Sequence, residues 1–241
     1  MARTALVIGA GASAGLGGAL CRRFAREGLH VVAVGRTRAK LEALAAELGG
    51  TTTPCAADAT RAADVARAFD AAEKAGGAPE LVVFNAGNAF VRGFAEIDEA
   101  FFEAAWRTCC LGGFLVGREA VRRMLPPAGR GGTLLFTGAT ASLRARPPFT
   151  AFASAKAALR ALAHGMAREF GPQGLHVAHV VIDGGIEGEQ LLARMPGLRA
   201  ARGEDGLLHP DAIDDAYWML HRQPRSAWTL ELDVRPWSES F

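Results

Sequence analysis

The segment Ala5-Leu-Val-Ile-Gly9-Ala-Gly-Ala-Ser-Ala-Gly15-Leu-Gly17 decides the fold. Residues 5–9 form a short, partly β-branched apolar run that ends in glycine, and residues 16–28 carry helical spacing through Leu20, Phe24 and Ala25. The order is strand, glycine turn, helix. Glycine lets a backbone turn tightly and approach a bound group closely, and the free N–H groups at a helix start favour negative charge such as a pyrophosphate.

Outward from this segment the alternation repeats. Further strands are predicted over residues 30–34, 52–56, 81–85, 133–137, 176–182 and 228–234, with helices over 39–48, 61–75, 98–124, 150–170 and 211–222. Strands separated by helices need right-handed crossovers and give a parallel sheet covered on both faces, so the expected fold is a doubly wound, Rossmann-type α/β sheet of seven strands in three layers. Ligands on such sheets sit beyond the strand C-termini, where the chain order reverses. No fixed-period repeat or linker composition divides the 241 residues, so one domain over 1–241 is expected. Residues 187–209 interrupt the last strand–helix unit with Gly188, Pro196, Gly197, Gly203 and Gly206 around a short helix near 190–195. They read as a substrate lid or, alternatively, as a plain surface insertion.

Half the residues are apolar, enough to bury a core, and the formal charge of +2 is spread among alternating acids and bases. No run of like charge exists to track a phosphate backbone, which argues against nucleic acid as a partner. Apolar runs such as 5–10 and 177–182 are far shorter than the roughly 20 residues needed to span a bilayer, so no membrane helix is expected. The first residues lead straight into a strand without room for a signal peptide, and a cytoplasmic location is expected. Cys21, Cys55, Cys109 and Cys110 lack metal-ligand spacing, so no metal is expected and the thiols are read as reduced and mostly buried. Tyr217 is the only tyrosine beside 13 phenylalanines, and Lys40, Lys74 and Lys156 are the only lysines among 27 basic residues.

Gly11, Gly15 and Gly17 match the GxxxGxG fingerprint of the short-chain dehydrogenases/reductases, and Asn85-Ala86-Gly87 matches the NAG motif of that family. The chain resembles the family over nearly its whole length. The resemblance implies a nicotinamide dinucleotide held at the glycine turn by Gly9, Gly11, Ser13, Gly15, Leu16 and Gly17. It further implies adenine contacts from Asp58 and Ala59, and cofactor contacts from Asn85, Ala86, Gly87 and Lys156 and from Asp183, Gly184 and Ile186, the last through its backbone. Counted from the strand, Gly9 is the more natural first glycine, which makes the loop two residues longer than usual in the family and shifts phosphate contacts by a residue or two. A homodimer or homotetramer built from helices 101–124 and 150–170, with 228–237 near a second interface, is also implied.

An acid after the second strand pairs with the ribose 2′-OH of NAD and repels the 2′-phosphate of NADP. Here the strand ends Val34-Gly35-Arg36, with no carboxylate and a planar, permanently charged fork suited to phosphate. NADP(H) is expected rather than NAD; otherwise Arg36 is only a solvated charge at a helix start.

The family's chemistry uses an Asn-Ser-Tyr-Lys set, and most of it is replaced. The YxxxK motif stands as Phe152-Ala-Ser-Ala-Lys156, Ala139 occupies the serine position and Cys109 the helix asparagine. Lys156 keeps the ribose-binding role that the resemblance implies, unless it merely reaches solvent along its apolar stem. Thr140, one residue past the serine position, is a candidate hydrogen-bond donor to a substrate carbonyl. Asp183, where the family has a Pro-Gly turn, is either an acid/base or a support for that turn. Phe149 stands where the related enoyl reductases carry tyrosine. Ser142, Ser154 and His179 are read as structural.

Two functions stay open. One is an NADP(H)-dependent oxidoreductase acting on a small, apolar carbonyl, alcohol or activated alkene, its proton moving through water, Thr140 or Asp183, with Phe90, Phe94, Phe149, Leu191 and Leu192 lining the pocket. The other is an NADP(H)-binding sensor or scaffold without catalysis. A purely structural domain with an empty site has the least support.

Overall fold

The computed structural model of this chain describes residues 3–127 and 129–240. Among them lies one all-parallel sheet of strands β1 (Thr4–Ile8), β2 (His30–Gly35), β3 (Thr52–Ala56), β4 (Leu81–Phe84), β5 (Gly132–Thr137), β6 (Leu175–Ile182) and β7 (Glu231–Val234), in the order β3-β2-β1-β4-β5-β6-β7. The helices are α1 (Leu16–Arg26), α2 (Arg38–Leu48), α3 (Ala62–Gly76), α4 (Glu99–Trp106), α5 (Gly112–Met124), α6 (Thr150–Phe170), α7 (Glu189–Arg194), α8 (Leu198–Arg202) and α9 (Pro210–Arg222). This is the doubly wound Rossmann-type sheet expected from the alternation. The order reverses between β1 and β4, which pair from Ala5↔Leu81 to Ile8↔Phe84.

Side chains alternate across the pleat into two cores. Ala5, Val7, Val31, Ala33 and Val83 pack with α1, α2 and α9 through Leu20, Phe24, Leu41, Ile213 and Tyr217. Leu6, Ile8, Val32, Val82 and Phe84 pack on the opposite face with α3, α5 and α6 through Phe69, Val116, Leu159 and Met166. Burial on both faces explains why the strands read as continuous apolar runs.

The long helix expected over 98–124 is α4 and α5 joined by a five-residue π-type turn, Arg107–Leu111. Asp98 caps its start by accepting from the Phe101 N–H. The strand expected over 228–234 pairs only from Glu231, because residues 225–227 form a turn first. Cys21 and Cys109 are buried, Cys55 and Cys110 half-buried, and all four thiols are free. Among the described residues, no helix is long and apolar enough to cross a membrane.

Helix α9 clamps α1 through charge. Arg23 Nη1 lies 3.1 Å from Asp214 Oδ1 and also bonds Asp215, and Arg26 reaches Asp214 Oδ2 at 3.7 Å. Burial outweighs these guanidinium groups and pushes Asp214 up to about 6 from an ordinary 3.8. The folded chain then holds a proton that the unfolded chain releases, so this contribution is complete below about pH 4 and is lost as pH rises through about 6. Asp214→Asn is expected to gain thermal stability relative to the natural chain as pH rises from about 5 to about 7, read as the difference between the two unfolding midpoints.

Candidate active site

Three backbone segments meet at the C-terminal edge of β1. The N–H groups of Gly9 and Ala10 both donate to the Val34 carbonyl at 2.9 Å, and Gly9 turns the chain with φ +97°. A Cβ on Gly9 would lie 2.6 Å from the backbone of Asn85 and Ala86, and one on Gly17 would lie 2.3 Å from the carbonyl oxygens of Gly9 and Ala10. Gly18, which carried no signal in the motif, is equally required: its Cβ would stand 2.1 Å from the Ser13 oxygen. Asn85 closes the arrangement, its Nδ2 donating to the Gly9 carbonyl at 3.0 Å.

Gly11 has φ +63°, and a Cβ there would find no atom nearer than 3.8 Å, so the outer side of the loop is open. Gly15 precedes α1 with no side-chain cap, and no acid occupies the first turn. An open glycine loop at an uncapped helix start is a seat for an anion. Ser13 faces elsewhere: its hydroxyl donates to Glu47 at 2.5 Å and accepts from Arg22 at 2.9 Å.

The end of β2 abuts this loop, since a Cβ on Gly35 would lie 3.8 Å from the Gly11 nitrogen. Arg36 follows, exposed and, among the described residues, engaged in no hydrogen bond or ion pair. Asp58 stands after β3, its Oδ1 accepting from the Thr60 N–H at 2.9 Å and hydroxyl at 2.8 Å. The Ala59 carbonyl lies beside Gly112 of α5.

At the other end of the edge, Lys156 is 4 % exposed, and its Nζ donates to the Thr137 carbonyl at 2.7 Å. It does not reach solvent along its stem. Gly87 faces both Lys156 Nζ and Cys109 Sγ, which would lie 3.5 and 3.8 Å from a Cβ there. Burial pushes the lysine down, opposed by Cys109, and pushes the Cys109 thiol up, opposed by Lys156 and a backbone hydrogen bond to Asn88. Cys109 sits in the π-type turn, a distortion that often re-aims a side chain at a site. The Phe152 ring lies 5.8 Å from Lys156 Nζ. The lone tyrosine is no substitute: Tyr217 is fully buried and bonds Thr137 Oγ1 at 2.8 Å on the opposite face of the sheet.

After β5, Ala139 opens a single 3-10 turn, its N–H donating to Ser142 Oγ at 3.1 Å. The Thr140 hydroxyl donates to Asp183 Oδ1, and Asp183 Oδ2 faces Arg144 at 3.5 Å and Arg235 at 3.4 Å. Spacing alone did not reveal that Thr140 and Asp183, 43 positions apart, form one pair. Gly184 follows at φ +149°, and Ile186 bridges to Leu208. Ser154 Oγ donates to the Thr150 carbonyl within α6. His179 is buried, with Nδ1 2.9 Å from Glu231 Oε2 and Nε2 unpaired, and burial pushes it down to about 4.

Residues 187–209 carry α7 and α8, and a Cβ on Gly188 would lie 3.6 Å from the Ala14 carbonyl oxygen of the glycine loop. Glu187 is held by His209 at 2.8 Å and by Arg199, and a Cβ on Gly185 would lie 2.9 Å from Leu191. Phe94 is exposed, whereas Phe90 meets Phe101 edge-on at 5.6 Å. Among the described residues, no group of three or more His, Cys, Asp or Glu side chains is placed to hold a metal ion.

Comparison with known proteins identifies the family to which this fold belongs. The family model described as short chain dehydrogenase matches residues 3–190. A Bacillus subtilis (strain 168) protein named uncharacterized oxidoreductase YuxG is 32% identical over 212 residues, which are 86% of this chain but 30% of that longer protein. A crystal structure of a short-chain dehydrogenase from Rhodopseudomonas palustris superimposes with a TM-score of 0.80 at 38% identity, covering 98% of this chain and 99% of that one. A 3-ketoacyl-(acyl-carrier-protein) reductase from Brucella melitensis, crystallised with NADH, gives a TM-score of 0.86 at 26% identity over 96% of each chain.

The steric demand at the glycine loop is directly measurable. Gly17→Ala must displace backbone and is expected to cost about 1–3 kcal/mol of stability together with most dinucleotide affinity. Gly165→Ala, at a helical position of α6 with nothing within 4 Å, should instead stabilise slightly, and unfolding midpoints with a dinucleotide titration compare the two.

Proposed function

Because this chain belongs to the short chain dehydrogenase family, whose members are oxidoreductases that use a nicotinamide dinucleotide, we propose that it is an NADP(H)-dependent oxidoreductase whose proton moves through Thr140 and Asp183. The observation that carries the reading is the Thr140–Asp183 pair at the strand ends, on the same edge as Lys156 and the open glycine loop.

The residues present fit the dinucleotide. The uncapped start of α1 and the open side of Gly11 would take the pyrophosphate, Asn85 to Gly87 would flank the nicotinamide ribose, and Lys156 would hydrogen-bond that ribose. Arg36, without a competing partner among the described residues, would take the 2′-phosphate. Bound there, the nicotinamide supplies or receives hydride.

The protein's own task is the proton. In the oxidative direction Thr140 Oγ1 accepts the proton of a substrate hydroxyl while its own proton passes to Asp183, whose carboxylate already accepts that hydrogen bond. In the reductive direction both transfers reverse: Thr140 protonates the nascent alkoxide and recovers a proton from Asp183. Phe152 and Ala139, where the family carries tyrosine and serine, leave an apolar wall suited to a small apolar carbonyl or alcohol. Phe102, Trp106 and Phe114, exposed along α4 and α5, fit the homo-oligomer that the family resemblance implies.

Arg36→Glu should weaken NADPH binding about 10–100-fold while leaving NADH binding intact, measured by calorimetry. Absence of heat from both dinucleotides with folded protein would refute the cofactor reading. Thr140→Val is expected to lower kcat by about 10²–10⁴ in a screen of carbonyls with NADPH and alcohols with NADP⁺, without changing cofactor affinity. Turnover unaffected by that change would move the proton elsewhere, and tight NADPH binding without any turnover would leave a cofactor-holding protein only.

A further inference from the structure

The chain beyond β7 lies across the site. Arg235 locks its fork onto Asp233, with Nε to Oδ1 at 3.0 Å and Nη2 to Oδ2 at 2.6 Å, while the same Nη2 stands 3.4 Å from Asp183 Oδ2. The Asp183 N–H donates to the Val234 carbonyl at 2.9 Å, which fixes the turn after β6 beside the end of β7. Pro236 then fills the space that Gly184 leaves, its Cδ lying 2.7 Å from where a Cβ would stand. Trp237 Nε1 donates to the Glu204 carbonyl at 3.4 Å, and Glu239 pairs with Arg202 at 3.3 Å, so the tail meets the chain around the end of α8. Finally, Arg144 donates to the Ser240 carbonyl at 3.0 Å with the same Nη2 that faces Asp183.

We propose that Arg235 is a positioning residue for the Thr140–Asp183 pair and that residues 235–240 are a strap coupling that pair to residues 198–209. The first half rests on the proton path proposed above. A buried carboxylate needs compensating charge and a fixed orientation. Asp183 is 4 % exposed and can aim Oδ1 at Thr140 only while Oδ2 is held from behind. Arg144 and Arg235 are the cations that hold it, with Asp233 and Glu239 the nearby anions that in turn engage Arg235. The planar guanidinium, anchored on Asp233, sets that orientation with little freedom; a lysine would supply charge without the two-point lock. Pro236 is buried against Gly184, but Trp237 is 82 % exposed, so beyond Pro236 polar contacts rather than apolar burial hold the tail on this route.

The test compares Arg235→Ala, Arg235→Lys, Trp237→Ala, Asp183→Asn and the Arg235→Ala/Asp183→Asn double variant in the full chain by hydrogen-exchange mass spectrometry and kinetics. Arg235→Ala should speed amide exchange about tenfold in both 139–146 and 198–209, with exchange in β1 to β5 unchanged and Arg235→Lys recovering part of the protection. Trp237→Ala, which keeps Arg235, should loosen 198–209 alone. With a turnover assay, Arg235→Ala should lower kcat about tenfold at nearly constant KM, and this loss should vanish in the Asp183→Asn background. Exchange changes confined to 231–240, or additive kinetic losses, would overturn the proposal. Failure of the oxidoreductase reading would show separately, as absent turnover or NADPH binding in the unaltered protein, and the exchange pattern would still decide whether the tail is a strap.

Discussion

Everything in this structure depends on three stretches of backbone approaching one another where no side chain can fit. Gly9 lies against Asn85 and Ala86, Gly17 against Gly9 and Ala10, and Gly18 against Ser13. Together with the Asn85 amide on the Gly9 carbonyl, these approaches set α1 directly over the point where the strand order reverses. The loop's outer face and the helix N–H groups are thereby left for a ligand. Elsewhere a well-packed interior is held by apolar side chains that tolerate exchange for others of similar size. Here the tolerance is nil, because the crowding atoms are backbone.

From that fixed point the polar chemistry of the edge is distributed by burial. Lys156 is held on the Thr137 carbonyl, and the hydroxyl of the same threonine meets Tyr217 on the other face. Thr137 therefore separates the only tyrosine from the edge where its family counterpart acts. Phe152 and Ala139 stand where the family carries polar groups; in the turn after β5 the Ser142 hydroxyl accepts from the Ala139 N–H, while that of Thr140 is turned onto a carboxylate between two guanidinium groups. A buried carboxylate in this setting is costly without compensation, and Arg144, earlier in the chain, and Arg235, later in it, both converge on Asp183.

A second polar cluster on the same side of the sheet has a different character. Glu231 on β7 gathers Arg160, His164 and His179, and Arg160 above all holds its carboxyl down at about 2. Burial pushes His179 down as well, to about 4, so the ring stays neutral at ordinary pH. This arrangement ties the outermost parallel strand to α6, the helix that carries Lys156. A short edge strand with few apolar contacts is held instead by charge, and its continuation is the tail that crosses the site.

The sequence by itself determined the seven strands, their alternation with helices and the glycine turn, because strand and helix periodicity and the sterics of glycine are local properties that survive without neighbours. It also put Asn85 and Arg36 just past the ends of β4 and β2, which share one edge because strand ends in a parallel sheet all point one way, whereas Lys156 reaches that edge from α6. Gly18 escaped notice because a glycine inside a helix start has no signature until the Ser13 backbone is seen beside it. That packing turns the Ser13 hydroxyl toward Glu47 and Arg22 was likewise not legible in the sequence. The pairing of Thr140 with Asp183, and of Arg235 with both Asp183 and the tail, was decided only by tertiary structure. In a chain with 27 basic and 25 acidic residues a given guanidinium has many possible carboxylates, and only the order of strands in the sheet selects which of them it meets.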